Sequence, residues 1–335
     1  MPEGAEGKAF MSRITVIVPN YNGAAFIGPC LSSLMPQCGD GVDVWVVDNA
    51  SADGSDKTAE AFPGVKVLRM PENTGFTGAV NAGLAKAEDA EYVILLNNDT
   101  VVGKHFVREL VSAMERHPDA FSAQARLRRM DDPKILDDAG DLYCALGWAY
   151  ERGTLGPAGK YNREETVFSA CAGAAIYRAD VMRKMGGLDP AYFAYLEDVD
   201  LGWRAKRAGW RNYFVPSANV LHAGSGTSGS RVNTFKVRHS SRNNVYLLRK
   251  NMPLTCRILF SPLLAAGFLT KILYFTAKGF GKEYLKGLWA GLRMPLPPHP
   301  DEAGYGEFDR QIALEILRNT PACLMGFLGT LVSPR

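Results

Sequence analysis

Four apolar runs rich in β-branched residues, separated by helical stretches, dominate the first hundred residues. Ile14–Pro19 (ITVIVP), Val42–Val47 (VDVWVV), Val65–Leu68 and Glu91–Leu96 (EYVILL) read as strands. Ala25–Leu34, Ser55–Ala61 and Thr77–Ala87 read as the helices between them. Such alternation requires parallel strands joined by crossover helices. The runs carry little polar alternation, as expected where helices cover both faces of the sheet. The expected class is therefore α/β: a mostly parallel sheet flanked by helices.

The ends of these runs are polar, with Asn20, Asp48, Asn73 and Asp99 following the apolar stretches. Parallel sheets bind ligands beyond the carboxyl ends of their strands. The pattern points to a nucleotide site, although loop chemistry alone would supply part of the polarity. It is neither a dinucleotide fingerprint nor a P-loop, because the glycines of GFTGAVNAG have the wrong spacing for both.

Three later features carry chemistry. Asp99 closes LLNND behind an apolar strand, where its carboxylate could join substrate phosphates around Mn²⁺ or Mg²⁺. A turn-forming Asn-Asn-Asp explains the same segment. Glu197 and Asp198 open an expected helix, Asp198–Ala208, with Gly209 at its C-terminal stop. A helix N-terminus favours the carboxylate anion and should lower its pKa, which suits a base ionised at neutral pH. Capping acids would look the same. His222, in VLHAGSGTSGS, could complete a metal shell as a neutral imidazole. The Gly/Ser-rich stretch after it leads into Arg231, Lys236, Arg238, His239 and Arg242, which could close over a diphosphate.

Charge is lopsided. The 335 residues carry a net +3, but residues 231–299 hold twelve Lys/Arg against one acid, Glu283. That segment is +11 and the remainder −8, so an anionic partner is expected. From Lys271 to Arg293 the basic residues Lys271, Lys278, Lys282, Lys286 and Arg293 recur at helical spacing. Read as one helix, they form one face opposite an apolar one, an interfacial pattern. Gly279, Gly281, Gly287 and Gly291 weaken that helix, and an ordinary surface helix is the alternative. The six cysteines form no CxxC pair, so neither a zinc site nor a disulfide framework is expected.

Six segments, VIVPNYNG (16–23), VVDNASADGS (46–55), NTGFTGAVNAGL (73–84), ILLNNDT (94–100), GGLDPAYFAYLEDVDLGWRAKRAGW (186–210) and the later His222, occur in an order that resembles family 2 glycosyltransferases. The bacterial rhamnosyltransferase-like branch is the most similar. The resemblance covers roughly residues 14–250 and implies a GT-A fold with a helical C-terminal extension. It also implies inverting transfer of a sugar from a nucleotide donor, with a divalent cation (Mn²⁺ or Mg²⁺). By position, Pro19, Tyr21, Asn22, Asp48 and Asn73 would contact the nucleoside. Asp99 and His222 would hold the metal, with Asn97 and Asn98 replacing the fuller acidic motif. Asp198 would be the base and Glu197 an acceptor contact, while Arg238 and Arg242 would meet the diphosphate.

The expected organisation is a frayed leader over 1–12 and a catalytic domain over 13–245. Residues 13–100 would form its nucleotide half and 101–245 its acceptor half. A basic amphipathic helical region over 246–335 would attach to an anionic membrane surface. The resemblance makes L-rhamnose from dTDP-rhamnose the leading donor, with UDP-linked sugars open, and a glycan or polyprenyl-diphosphate-linked sugar the acceptor. A cytoplasmic enzyme, peripheral on the inner face of the membrane, is expected, with no nucleic-acid partner. A nucleotidyltransferase, or a non-enzymatic anionic-membrane or nucleic-acid binding protein, are the competing readings. The first usually carries a basic Gly-rich loop after strand one, where this chain has Asn20-Tyr21-Asn22-Gly23.

Overall fold

The computed structural model describes residues 13–224, 232–297 and 306–332. The leader expected over 1–12 and the Gly/Ser-rich stretch through Arg231 (225–231) lie outside them.

The first hundred residues run β1 (Ile14–Asn20), α1 (Ile27–Leu34), β2 (Val42–Asp48), α2 (Ser55–Glu60), β3 (Val65–Arg69), α3 (Gly75–Leu84) and β4 (Tyr92–Leu96). β3, β2, β1 and β4 lie side by side and parallel. Along β1, Val16 and Val18 enter one core with α1, while Ile17 enters another with Ala79 and Val80 of α3. Both faces are covered, which is why the strand reads as continuously apolar.

The chain continues through β5 (Thr100–Val102), α4 (Phe106–Arg116), β6 (Ala120–Arg129), β7 (Leu136–Asp138), β8 (Asp141–Tyr143), β9 (Ala149–Glu151), β10 (Glu165–Val167), β11 (Ala174–Arg178) and α5 (Ala179–Lys184). Next come α6 (Glu197–Arg207) and β12 (Arg211–His222). The sheet grows in the order β10-β12-β6-β11-β4-β1-β2-β3. β11 is antiparallel to both β4 and β6, and β12 is parallel to β6. β8 and β9 form a separate hairpin. α6 ends at Arg207, one residue short of the expected Ala208, and Gly209, with φ +85°, follows its C-cap at Ala208.

Four further helices follow α7 (Thr234–Asn251): α8 (Leu254–Leu259), α9 (Ser261–Ala277), α10 (Gly281–Arg293) and α11 (Gly306–Val332). Two expectations change here. The stretch 271–293 is two helices, broken at Lys278 and Gly279, where Gly279 takes φ +81°. Lys271 does not share a solvent face with the others. Its ammonium sits 4.9 Å and 4.8 Å from the Trp148 and Phe327 ring centres, and burial lowers its pKa to about 8. The expected division at residue 245 falls inside α7. Phe260, Leu264, Ile312 and Ile316 from the later helices share one core with Tyr143, Phe168 and Trp203. Among the described residues, no helix is long and apolar enough to cross a membrane.

Candidate active site

At the carboxyl edge of β1 and β2 the polar side chains form a lattice. Asn20 Nδ2 donates to Asp48 Oδ1 (2.9 Å) and to Ser55 Oγ (2.8 Å). Asp48 Oδ2 accepts from the Ser51 amide, and Asn22 Oδ1 from the Ala52 amide. Asn49 Nδ2 donates to Asn73 Oδ1, which also accepts from the Gly75 amide. The lattice holds an open-edged shelf on which Tyr21 is 37% exposed and Pro19 half-buried. Asn98 Nδ2 ties the next strand end to it through Asn20 Oδ1 (2.8 Å). A Cβ on Gly23 would lie 2.2 Å from Asn98 Nδ2 and 2.4 Å from Asn20 Oδ1, so that junction requires glycine. Sequence reading found Asp48 and Asn73 and placed Asn98 only in the metal motif; it gave no role to Asn49, whose only signal was adjacency to Asp48.

Asp99 and His222 meet because β5 pairs with β12, setting Thr100 opposite His222. His222 Nε2 is 3.3 Å from Asp99 Oδ1, and Nδ1 is 2.7 Å from Asp137 Oδ2. Burial disfavours charge on this imidazole, but hydrogen bonds to Asp137 and Asp99 prevail and push its pKa up to about 10. The two carboxylates thus favour the protonated ring, whereas a ring bound to a cation through Nε2 would be neutral. Asp137 went unseen because 85 residues separate it from His222.

One oxygen and one nitrogen facing each other suit a divalent cation that completes its shell with phosphate oxygens and water. Asp137, holding the other ring nitrogen, is the usual orienting partner of a metal-bound histidine. Among the described residues no group of three potential ligands is assembled.

Glu197 and Asp198 form the first turn of α6, after a loop whose Phe193, Tyr195 and Leu196 all have positive φ. Asn243 of α7 holds that backbone: its Nδ2 lies 2.8–3.0 Å from the carbonyls of Tyr192, Ala194 and Tyr195. Asp198 accepts from the amides of Ala172 (3.1 Å) and Val199 (2.8 Å). The same short segment holds the strand end at Asn97–Asp99, since Gly173 O accepts from the Asn97 amide (2.9 Å). The apolar, small-residue FSACAG run thus bridges the two halves of the site.

The expected lowering of the Asp198 pKa is overturned. Burial raises it, and amide hydrogen bonds from Ala172 and Val199 only oppose that rise. Glu197 is buried, Oε2 has no hydrogen-bond partner among the described residues, and burial followed by the Asp198 charge raises its pKa strongly. Arg238 and Arg242 lie on α7. Arg242 Nη2 donates to the carbonyls of Ala191 and Tyr192, so its guanidinium is engaged with the loop before the acids. A larger cavity of about 590 Å³, between Arg13 and Ala90, opens at the amino end of the strands, where parallel sheets do not bind ligands.

The family described as Glycosyl transferase family 2 matches residues 15–186, slightly more than half the chain. The chain belongs to glycosyltransferase family 2. The fold is GT-A. The chain is 29% identical over 257 residues to the N-acetylglucosaminyl-diphospho-decaprenol L-rhamnosyltransferase of Mycobacterium tuberculosis (strain ATCC 25618 / H37Rv), covering 70% of this chain and 83% of the relative. It is 24% identical over 216 residues to the O-antigen chain rhamnosyltransferase WbaN of Salmonella anatum, covering 64% and 67%. Among solved structures, the mannosyltransferase PcManGT from Pyrobaculum calidifontis, in complex with GDP-Man and Mn²⁺, superposes with a TM-score of 0.55 at 16% identity, covering 95% of this chain and 88% of that one. Membership makes this family 2 glycosyltransferase an enzyme, and the nucleotidyltransferase and non-enzymatic readings give way.

Proposed function

We propose that this family 2 glycosyltransferase is a metal-dependent, inverting enzyme. It would move L-rhamnose from dTDP-rhamnose onto a hydroxyl of a polyprenyl-diphosphate-linked sugar or a related glycan in bacterial cell-surface polysaccharide synthesis. The observation that carries the reading is the Cys171–Gly173 segment, which holds Asp198 by one amide and the Asn97–Asp99 strand end by a neighbouring carbonyl. The donor and acceptor follow the relatives' activities.

Asp48, Asn73, Asn22, Tyr21 and Pro19 would receive the nucleoside, and Asn97 the sugar-phosphate side. Asp198 would take the proton from the acceptor hydroxyl, a role for which a carboxylate with an elevated pKa is the better proton acceptor. That oxygen would attack the anomeric carbon from the face opposite the nucleotide, inverting the centre as the nucleoside diphosphate leaves. Glu197, kept neutral by burial and the adjacent acid, would donate a hydrogen bond to the acceptor sugar. Asp99 and His222 would hold the cation, which when bound would supply positive charge beside the departing diphosphate.

Asp198→Asn is expected to abolish transfer from dTDP-rhamnose while dTDP affinity stays within about twofold, since truncating a base removes only the transition-state contribution. Retained turnover would remove Asp198 from the role. Asp99→Ala should erase the difference in dTDP affinity measured by calorimetry with and without Mn²⁺; an undiminished difference would dismiss it as a ligand.

Attachment to an anionic membrane surface is part of the same proposal. Its support is the exposed apolar and basic surface of α8–α11, which would bring the enzyme to a lipid-borne acceptor.

A further inference from the structure

Between α7 and α10 lies a cavity of about 240 Å³ lined by Arg238, His239, Arg242 and Ala290. It is small beside sites that enclose whole ligands, which run to roughly 300–1,000 Å³. Its volume suits a compact anionic group better than an entire nucleotide sugar. None of the strand-end residues lines it. Two guanidiniums face it, and each disfavours charge on its neighbours: burial first, then Arg242 and Arg238, lowers the His239 pKa. Among the described residues Arg238 makes no ion pair. Glu283, the one acid of α10, is paired with Lys286 at 2.6 Å, and the Arg238 charge also reaches it.

The surroundings specify more than an anion. Residues on a helix advance by about 100° each. Around α10 the cavity wall at Ala290 is therefore followed by Lys282, Lys286 and Arg293, then by Leu285, Trp289 and Leu292. Those three apolar side chains are 49–57% exposed. On the other side the cavity adjoins the loop that precedes α6. His239 lies 3.9 Å from the Phe235 ring centre and 5.9 Å from that of Phe193, and Arg242 holds the Tyr192 carbonyl. An anionic group seated here has an apolar strip on one flank and an aromatic path toward Glu197 and Asp198 on the other.

We infer that this cavity is the seat of the acceptor's diphosphate: Arg238, His239 and Arg242 grip the phosphates, the polyprenyl chain leaves along Leu285, Trp289 and Leu292, and the acceptor sugar lies across Phe235 and Phe193 toward Asp198. The inference rests on the proposed lipid-linked acceptor and moves Arg238 and Arg242 from the donor's diphosphate to the acceptor's.

The test is calorimetry on the full chain with farnesyl diphosphate, inorganic pyrophosphate and phosphatidylglycerol vesicles as separate probes. Farnesyl diphosphate should bind more tightly than pyrophosphate. Arg238→Ala, which removes no hydrogen bond seen within the described fold, should weaken farnesyl diphosphate by about tenfold or more, the worth of a charged hydrogen bond. Arg238→Lys should recover part of the loss, and dTDP affinity with Mn²⁺ should not move. Unchanged farnesyl diphosphate binding in Arg238→Ala overturns the inference. So does an equal loss of dTDP affinity, which would return the arginine to the donor. Pyrophosphate binding as tightly as farnesyl diphosphate would also overturn it, as would an Arg238-dependent affinity for phosphatidylglycerol vesicles that matches or exceeds it. Binding at Arg238 without sugar transfer to any lipid-linked acceptor would refute the proposed reaction and leave the site standing.

Discussion

Asp200 differs from Glu197 and Asp198, one turn of helix away, by the company it keeps. It is fully buried and meets Arg204 Nε (2.8 Å), Lys250 Nζ (2.9 Å), Asn251 Nδ2 (2.8 Å) and the Tyr192 hydroxyl (3.2 Å). Burial raises its pKa, but Arg204 and Lys250 more than offset that and hold it below the usual carboxylate value. A carboxylate with a depressed folded pKa stabilises the fold in full above its unfolded pKa of about 3.9. The contribution fades as pH falls through the folded value. Asp200→Asn should therefore cost about 3 kcal/mol at pH 7, toward the low end for breaking a buried pair because Lys250 keeps Asp189 at 2.7 Å. Urea unfolding at pH 7 and pH 3 checks this: the gap between wild type and variant should shrink at the lower pH. A constant gap would remove the ion-pair account. YLEDVD announces three acids in one turn; Arg204, four residues on in the same helix, and Lys250 and Asn251 of α7, some fifty residues on, set the buried ion pair of Asp200 apart from Glu197 and Asp198. Asp137 was hidden for the same reason, since its partner His222 is brought to it by strand pairing rather than by sequence proximity.

At the scale of elements, the glycines of α10 explain a misjudgement. Read by propensity they weaken a helix; in the fold they let two helices touch. A Cβ on Gly291 would stand 2.3 Å from the Arg242 carbonyl oxygen, and one on Gly287 1.8 Å from Ser241 Oγ. Backbone cannot retreat as a flexible side chain would, so Gly291→Ala should overpack the contact and cost about 1–3 kcal/mol. Gly329→Ala in α11 meets nothing within 4 Å and should instead gain about 0.5–1 kcal/mol from helix propensity. Opposite shifts in the urea midpoint check the pair, and a neutral Gly291→Ala would mean that α10 does not press on α7. The strands were legible because each carries its signal within a few residues. The helix-to-helix fit of α7 and α10 was not, because one glycine looks like another until its neighbour is known. The reach of Lys271 into an aromatic slot was hidden in the same way, since helical spacing placed it on the basic face.

At the scale of the molecule, surface apolarity is concentrated in one region. Of 17 large apolar side chains exposed among the described residues, 15 lie between Leu254 and Leu331, and Tyr21 and Phe235 are the others. Apolar side chains exposed in such number on one group of helices point to a docking face. Lys282 and Lys286 stand beside it, in a segment whose surplus of cations was plain in the sequence. Two forces of different range then act on an anionic bilayer. Charge attraction is screened over about 8 Å at physiological salt and about 3 Å at 1 M. Apolar insertion persists at high salt and contributes up to roughly 1.5–3 kcal/mol for each side chain fully withdrawn from water. The intact protein should float with vesicles rich in phosphatidylglycerol at low salt and bind phosphatidylcholine vesicles less. Lys282→Glu with Lys286→Glu should remove that preference and leave residual binding at 1 M salt unchanged. Leu285→Glu with Trp289→Glu should remove the residual part. Deleting the C-terminal helices is a poorer test, because Phe260, Leu264, Ile312 and Ile316 are walls of the core that contains Trp203 of α6. Equal flotation with both lipids would exclude the electrostatic half of the attachment, and no flotation with either would exclude the whole.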